Sequence, residues 1–163
     1  MRPVEQLPDK SLARRSFSSA TESYDQAAVL QREVGRRLLQ RLQLVKIQPG
    51  CILDLGSGTG HCIPDLFARY KKADVVALDI ALLMLRHARR RGRWLRRPRC
   101  VCADAERLPF ADSQFDLVFS NLMLQWCVDL DVVFAELQRV LRPGGLLLFT
   151  SFGPNTLHEL RAN

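Results

Sequence analysis

The sequence predicts an α/β protein with a doubly wound, mostly parallel sheet. Short apolar runs that end in an acid, such as residues 51–53 before Asp54, alternate with segments of helical periodicity. The apolar run 75–78 before Asp79 repeats this pattern one unit later in the chain. Such an alternation requires parallel strands joined by right-handed crossovers, with helices on both faces of the sheet.

A glycine-rich loop follows the first predicted strand. It contains Gly56, Gly58 and Gly60, and glycine allows the tight turn and close ligand approach that a Cβ would block. Gly60 is predicted to open the next helix, whose free amides attract polar groups. The spacing is not the G-x-G-x-x-G of dinucleotide sites, and Asp54 would repel a pyrophosphate. The loop therefore favours a ligand that carries positive charge, such as an ammonium group.

Three further strands complete the predicted sheet. Residues 99–103 form a short strand before Asp104, and residues 115–121 form the fourth strand. Residues 141–145 are predicted to end a helix in a turn, and residues 146–152 to form strand five. Ligands of such sheets bind at the carboxyl ends of the strands, where the strand order reverses. Four polar side chains fall at those ends: Asp54, Asp79, Asp104 and Asn121.

These motifs, in this order and spacing, resemble the class I S-adenosylmethionine-dependent methyltransferases, which have a Rossmann-like fold. The resemblance implies S-adenosylmethionine as the cofactor. It implies that Asp54 lies near the methionine end, that Asp79 accepts from the ribose hydroxyls, that Asp104 meets the adenine amine and that Ile80 packs on the adenine. The implied cofactor-binding residues are Asp54, Leu55, Gly56, Gly58, Gly60, Asp79, Ile80, Asp104, Ala105 and Asn121.

The segment before the first strand resembles a narrower group. Phe17 to Ala20, then Tyr24-Asp25 and Leu30-Gln31, are similar to the malonyl-[acyl-carrier protein] O-methyltransferases of biotin synthesis. The sequence S-N-L-M-L-Q-W at 120–126 also fits them, although wider methyltransferase groups share it. This likeness implies a substrate pocket of Tyr24, Gln125 and Trp126. Tyr24 has the alternative of packing only its own helix, and Trp126 of belonging to the core.

The implied chemistry is direct displacement at a sulfonium methyl by the malonyl carboxylate. That carboxylate is ionised at neutral pH, because its ordinary pKa is about 4. It needs no general base, and the sequence therefore predicts no catalytic acid or base. The protein aligns the reactants and excludes water.

The resemblance divides the chain into three parts. Residues 1–15 are predicted to be a disordered leader and residues 16–46 to form N-terminal cap helices. Residues 47–163 are predicted to form the S-adenosylmethionine-binding domain. The apolar stretches are too short for a membrane-spanning helix, the first fifteen residues lack the apolar core of a secretory signal, and the five cysteines lack metal-ligand spacing. A cytoplasmic protein with reduced thiols and no metal is expected.

The 163 residues carry a net charge of +7, with eight arginines between residues 86 and 99. This run has three interpretations: a solvated face, a surface for an acidic protein, or a nucleic-acid site. The helix that carries it starts at the ligand edge and ends at the opposite rim, so most of the arginines are predicted to lie far from the methyl group. That geometry argues against nucleic acid. Acyl carrier protein, the partner that the resemblance implies, is acidic.

The resemblance also implies a sheet that lacks its usual last strands, because only eleven residues follow residue 152. Residues 146–149 would then form an open apolar edge, which favours self-association and leaves water in the site. Low activity is expected for this C-terminally shortened chain. Two alternatives stay open: a quinone-type C- or O-methyltransferase, and an inactive cofactor-binding remnant.

Overall fold

In the computed structural model, residues 28–92 and 95–153 are described. The leader, Tyr24 and the residues after Gly153 lie outside this part of the chain. The helices are α1 (Val29–Arg41), α2 (Ile63–Arg69), α3 (Leu82–Ala88) and α4 (Leu130–Val140), with 3-10 turns at Leu42–Leu44 and Leu124–Trp126. The strands are β1 (Cys51–Leu55), β2 (Asp74–Asp79), β3 (Arg99–Cys102), β4 (Phe115–Asn121) and β5 (Leu141–Thr150).

The described strands form one sheet in the order β3-β2-β1-β4-β5, and every neighbouring pair is parallel. Chain order therefore reverses between β1 and β4. Leu53 of β1 lies opposite Val76 on one side and Val118 on the other. The predicted parallel α/β sheet is confirmed, and its switch point lies where the glycine loop leaves β1.

Helices cover both faces of the sheet, as the doubly wound prediction required. On one face, buried residues of α1, α2 and α3 pack against the alternate strand residues Ile52, Val75 and Leu117. On the other face, α4 buries Val133 and Leu137 against residues of β1, β2 and β4. Strands that are buried on both faces have continuous apolar sequences. This is why β1, β2 and β4 could be predicted from the sequence.

The start of the last strand was predicted wrongly. Residues 141–145 were expected to form a turn, but α4 ends at Val140 and Leu141 already pairs with Phe115. The register then shifts before Leu146 pairs with Leu117, and Gly144 in this bulge has a φ of 77°. The Pro-Gly-Gly sequence therefore makes an irregularity inside β5 rather than a turn before it. The strand also ends at Thr150 rather than at residue 152, and β3 ends at Cys102 rather than at residue 103.

Candidate active site

A pocket opens at the carboxyl edge of the sheet, above the switch point between β1 and β4. It is bounded by the glycine loop, by the ends of β2 and β3, and by the segment that follows β4. The residues that line it are Gln31, Gly56, Gly58, Leu78, Asp79, Ile80, Met84, Ala103, Asp104, Ala105, Asn121, Leu122, Met123, Gln125, Trp126, Cys127 and Phe152.

Most of the predicted site residues meet at this pocket. Those in its wall are Gly56, Gly58, Asp79, Ile80, Asp104, Ala105, Asn121, Gln125 and Trp126. Asp54 and Leu55 are buried in β1, directly before the loop. Gly60 is not in the wall, and Tyr24 lies outside the described residues.

The glycine loop is held by the end of β2. The amides of Gly56 and Ser57 both donate to the carbonyl of Leu78, at 2.8 and 2.9 Å. The amide of Gly58 donates to Oδ2 of Asp79 at 2.8 Å. Gly56 and Gly58 have φ angles of 70° and 54°, in the region that L side chains disfavour. The backbone thereby forms an open cradle beside the pocket.

Gly60 has a different role from the predicted one. Helix α2 begins only at Ile63, and the Gly60 amide already donates to the Ser57 carbonyl at 2.9 Å. Its φ is 77°, and a Cβ at this position would lie 2.8 Å from Cα of Ala88. Gly60 is therefore a turn residue that lets α3 pack closely against the back of the loop, and it does not offer a free helical amide.

Asp79 stands at the carboxyl end of β2. Besides the Gly58 contact, its Oδ1 accepts from the amide of Ala81 at 2.8 Å. Burial raises the pKa of this carboxyl, and the backbone N–H bonds from Ala81, Gly58 and Ile80 oppose that rise. A carboxylate offers about four acceptor sites, and these three bonds leave it acceptor capacity toward the pocket.

Asp54 is the most unusual charged group of the site. Only 3% of the residue is exposed, and its Oδ2 has no hydrogen-bond partner among the described residues. Burial and the neighbouring charge of Asp79 raise the pKa of the Asp54 carboxyl to about 7. Since a buried carboxylate is costly without a partner, this oxygen is suited to a cationic ligand group.

Asp104 follows β3 and Asn121 is the last residue of β4, and both side chains line the pocket. Oδ1 of Asp104 accepts from the Glu106 amide at 3.0 Å, which shapes the turn after β3. Nδ2 of Asn121 donates to the carbonyl of Gln31 in α1 at 2.8 Å. The first contact fixes the wall on the β3 side, and the second brings α1 to the other side of the pocket.

Gln125 and Trp126 lie in the 3-10 turn after β4. Nε2 of Gln125 donates to the Leu122 carbonyl at 2.6 Å, so its side chain is held against the chain that leaves β4. Trp126 is 44% exposed while it lines the pocket, so the alternative of an ordinary core tryptophan does not describe it.

Sequence reasoning missed several wall residues, above all Met123 and Gln31. Met123 stands directly over Gly56, because a Cβ on that glycine would lie 2.5 Å from Cβ of Met123. Methionine and glutamine are not residue types that by themselves indicate a binding site. Only the position of Met123 shortly after β4, and that of Gln31 in the first turn of α1, could have suggested that they line the pocket. The other missed wall residues are Leu78, Met84, Ala103, Leu122, Cys127 and Phe152.

The basic run is only partly a solvated face. Arg91 donates to the Thr59 carbonyl at 3.1 Å, and Arg99 pairs with Asp74 at 2.8 Å. Arg96 donates to the carbonyls of Phe67, Tyr70 and Ala73 at 3.1–3.2 Å. Arg86, Arg89 and Arg90 are exposed on and just after α3. Among the described arginines of the run, Arg91 and Arg96 are half-buried against backbone carbonyls, whereas Arg99 stays exposed in its ion pair, so the prediction of a solvated face holds for part of the run.

Within residues 28–92 and 95–153, no helix has the length and apolar character needed to cross a membrane. The same residues contain no cluster of histidine, cysteine, aspartate or glutamate that could hold a metal ion.

Residues 53–149 match the family of methyltransferase domains. The matched segment starts inside β1 and ends inside β5, so it contains the glycine loop, the ends of β2, β3 and β4 and most of the pocket wall. The match covers more than half of the 163 residues.

Curated relatives extend the likeness over nearly the whole chain. The malonyl-[acyl-carrier protein] O-methyltransferase of Halorhodospira halophila is 56% identical over 94% of this chain and 52% of its own length. The enzyme of the same name from a Methylovorus species is 51% identical over 96% of this chain and 55% of its own length. The chain thus spans about half the length of these relatives.

The fold is shared with solved structures. The complex of the Haloferax volcanii Trm112 methyltransferase activator with a methyltransferase matches at a TM-score of 0.77 and 22% identity, over 90% of this chain and 66% of the other. The Rossmann-like sheet, the position of the glycine loop and the segment matched by the family all indicate the same fold. The chain belongs to the methyltransferase domain family and has the class I methyltransferase fold.

Proposed function

We propose that this chain supports S-adenosylmethionine-dependent transfer of a methyl group to the free carboxylate of malonyl-[acyl-carrier protein], an early step of biotin synthesis. The observation that carries the proposal is the 56% identity, over 94% of the chain, to a relative with that name. The aligned part contains the entire described pocket.

The residues of the pocket fit the cofactor. Bound S-adenosylmethionine supplies an electrophilic methyl group on a sulfonium sulfur. The orphaned, buried oxygen of Asp54 suits the ammonium of its methionine part, and a Cβ on Gly56 would fill the cradle beside that acid. We therefore assign Asp54, Leu55, Gly56 and Gly58 to the methionine end of the site. Gly60 supports them from behind, through its contact with Ala88.

The adenosine part is assigned to the other side of the pocket. Asp79 would accept from the ribose hydroxyls with the acceptor capacity that its backbone contacts leave, and Ile80 would pack against the base. Asp104 and Ala105 would hold the adenine edge, and Asn121 would close the wall between β4 and α1.

The reaction needs no proton transfer by the protein. A malonyl carboxylate is already ionised at neutral pH, with an ordinary pKa of about 4. The chain's own residues would orient the nucleophile in line and keep water out. Gln125 and Trp126 line the pocket and are assigned to the substrate, together with Tyr24 from outside the described residues.

Acyl carrier protein is the proposed macromolecular partner. It is acidic, and the net charge of +7 together with the exposed arginines on and after α3 would favour its approach. Nucleic acid is not proposed, because Arg91 and Arg96 bind to backbone carbonyls of the protein. A cytoplasmic location is proposed, because all five cysteines are free thiols, as in proteins of reducing compartments.

The test is a methyl-transfer assay with labelled S-adenosylmethionine. We expect label in a base-labile ester of malonyl-carrier protein and none in quinone precursors, with the Halorhodospira halophila relative as the positive control. Label on a quinone ring carbon or phenol would support the quinone-type alternative. An ester formed by the relative alone, while this chain still binds the cofactor, would support the cofactor-binding remnant.

We also propose that the 163-residue chain self-associates through β5. Within the described residues no strand pairs with the outer edge of β5, and such edges invite strand addition. Phe149 of β5 is 42% exposed, and its ring lies 6.0 Å from that of Phe134, which is 38% exposed. Together they form an apolar surface beside the open edge.

Phe149→Lys should shift the chain toward monomer on size-exclusion chromatography, because a charge on an open edge opposes strand addition. Leu95→Lys is the matched control, since Leu95 is 86% exposed and lies outside β5. A wild-type chain that elutes as a monomer, or an equal shift in both variants, would contradict the proposal.

A further inference from the structure

Thr150, the last residue of β5, connects two wall residues of the pocket although it does not line the pocket itself. Its Oγ1 donates to Oδ1 of Asn121 at 2.9 Å and accepts from the amide of Leu122 at 3.0 Å. A single hydroxyl group therefore donates one hydrogen bond and accepts another, and its two partners are consecutive residues at the end of β4.

The first of these contacts fixes the orientation of the Asn121 amide. Because Oδ1 faces the Thr150 hydroxyl, Nδ2 faces the carbonyl of Gln31 and donates to it at 2.8 Å. Helix α1 approaches closely at this point, since a Cβ on Gly35 would lie 3.1 Å from Nδ2 of Asn121. The hydroxyl of Thr150 therefore acts, through Asn121, on the position of α1 at the pocket.

The second contact holds an unfavourable backbone conformation. Leu122 has a φ of 50°, a left-handed conformation that is unfavourable for a non-glycine residue. Its amide donates to both the carbonyl and the hydroxyl of Thr150, at 3.1 and 3.0 Å. Its own carbonyl accepts from Gln125. This conformation turns the chain from β4 into the pocket wall.

We propose that Thr150 is a positioning residue for cofactor binding: its hydroxyl sets the Asn121 amide and the Leu122 backbone, and thereby holds α1 and the β4 exit as one side of the pocket. The inference rests on the proposed binding of S-adenosylmethionine at this pocket. It adds a residue that touches neither the cofactor nor the substrate and acts only through the wall residues.

The experiment compares Thr150→Val, which keeps the shape and removes the hydroxyl, with Thr150→Ser, which keeps the hydroxyl. Binding of S-adenosylhomocysteine to the 163-residue chain is measured by calorimetry, and stability by urea unfolding. We expect Kd to rise roughly tenfold in the valine variant, because the hydroxyl's bonds to half-buried Asn121 and to the buried Leu122 backbone are lost. The serine variant should bind within about twofold of wild type.

A third arm tests whether Thr150 acts through Asn121. In Asn121→Ala, the further change Thr150→Val should weaken binding by much less than it does in wild type, because coupled residues are not additive. Wild-type Kd in the valine variant, equal losses in the valine and serine variants, or full additivity would each overturn the proposal. If wild type itself does not bind S-adenosylhomocysteine, the proposed function fails instead. If the valine variant does not fold, the serine and Asn121→Ala variants still decide, because binding by Asn121→Ala equal to wild type would overturn the proposal.

Discussion

Replacing Asp54 by asparagine is expected to stabilise the free protein at pH 8 and to weaken cofactor binding at the same pH. The folded protein raises the pKa of Asp54 from 3.8 to about 7, through burial and the charge of Asp79. At a pH between these two pKa values, Asp54 is protonated in the folded chain and ionised in the unfolded chain. Stability is therefore lost as the pH rises from about 4 to 7, and the loss stays complete above that range.

The size of this loss follows from about 1.4 kcal/mol for each pKa unit, which gives about 4 kcal/mol at most for the shift of Asp54. An asparagine side chain cannot ionise, so the free Asp54→Asn variant should gain the full amount of stability at pH 8 and less than half of it at pH 5, where the wild type has lost only part of its stability. The measurement is urea unfolding of this variant and wild type at both pH values. An equal difference in stability at pH 5 and pH 8 would show that Asp54 is not the titrating group.

The same variant should bind S-adenosylhomocysteine about 10- to 100-fold more weakly, because it loses a charge-assisted contact to the ligand's ammonium. Asp65→Asn is the matched control, since Asp65 is an exposed carboxylate in the first turn of α2. The two predictions have opposite signs, so a general loss of folding could not produce both. Wild-type affinity in Asp54→Asn would remove this residue from the site.

Gly56→Ala is expected to have the other large effect. Gly56 has a φ of 70°, which costs an L residue about 1–2 kcal/mol. The new methyl group would also overlap Met123, whose Cβ would lie 2.5 Å away. We expect a destabilisation of about 2–4 kcal/mol together with a loss of cofactor binding, because the loop and the wall would have to separate.

Two controls divide this effect into its causes. Gly144 has a φ of 77° with nothing within 4 Å of an added Cβ, so Gly144→Ala measures the backbone cost alone. Adding Met123→Gly to Gly56→Ala removes both Cβ and Cγ of Met123, the atoms that the methyl group would overlap, and should recover the part due to overlap. Urea unfolding gives each value. A Gly56→Ala variant no less stable than Gly144→Ala would refute the close contact with Met123.

The sequence predicted those parts of the protein in which local chemistry and tertiary structure agree. Strands β1, β2 and β4 are buried on both faces, and the polar residues at their ends, Asp54, Asp79 and Asn121, are evident in the sequence. The pocket lies at the edge of the sheet where the sequence predicted the ligand. The sequence also shows that an acid, Asp54, precedes the glycine loop. It does not show the raised pKa of this carboxyl, which depends on burial and on Asp79 of a neighbouring strand.

Other features depend on contacts that no local pattern encodes. The Pro-Gly-Gly segment has the local signature of a turn, yet the pairing of Leu141 with Phe115 draws it into β5 as a bulge. Met123 enters the site only because Leu122 adopts a left-handed conformation after β4. A leucine gives no sign of that conformation, which is held by Thr150 from the next strand.

The arginines between α3 and β3 have a consequence for how the molecule opens locally. Arg96 binds three carbonyls at and after the end of α2 and lies over the ring of Phe67, while Arg91 binds the carbonyl of Thr59 in the glycine loop. This connection therefore cannot detach without releasing groups on both sides of α2. Segments joined in this way open as one cooperative unit. Amide hydrogens in the last turn of α2 should thus exchange with solvent at rates governed by the arginine segment as well as by the helix.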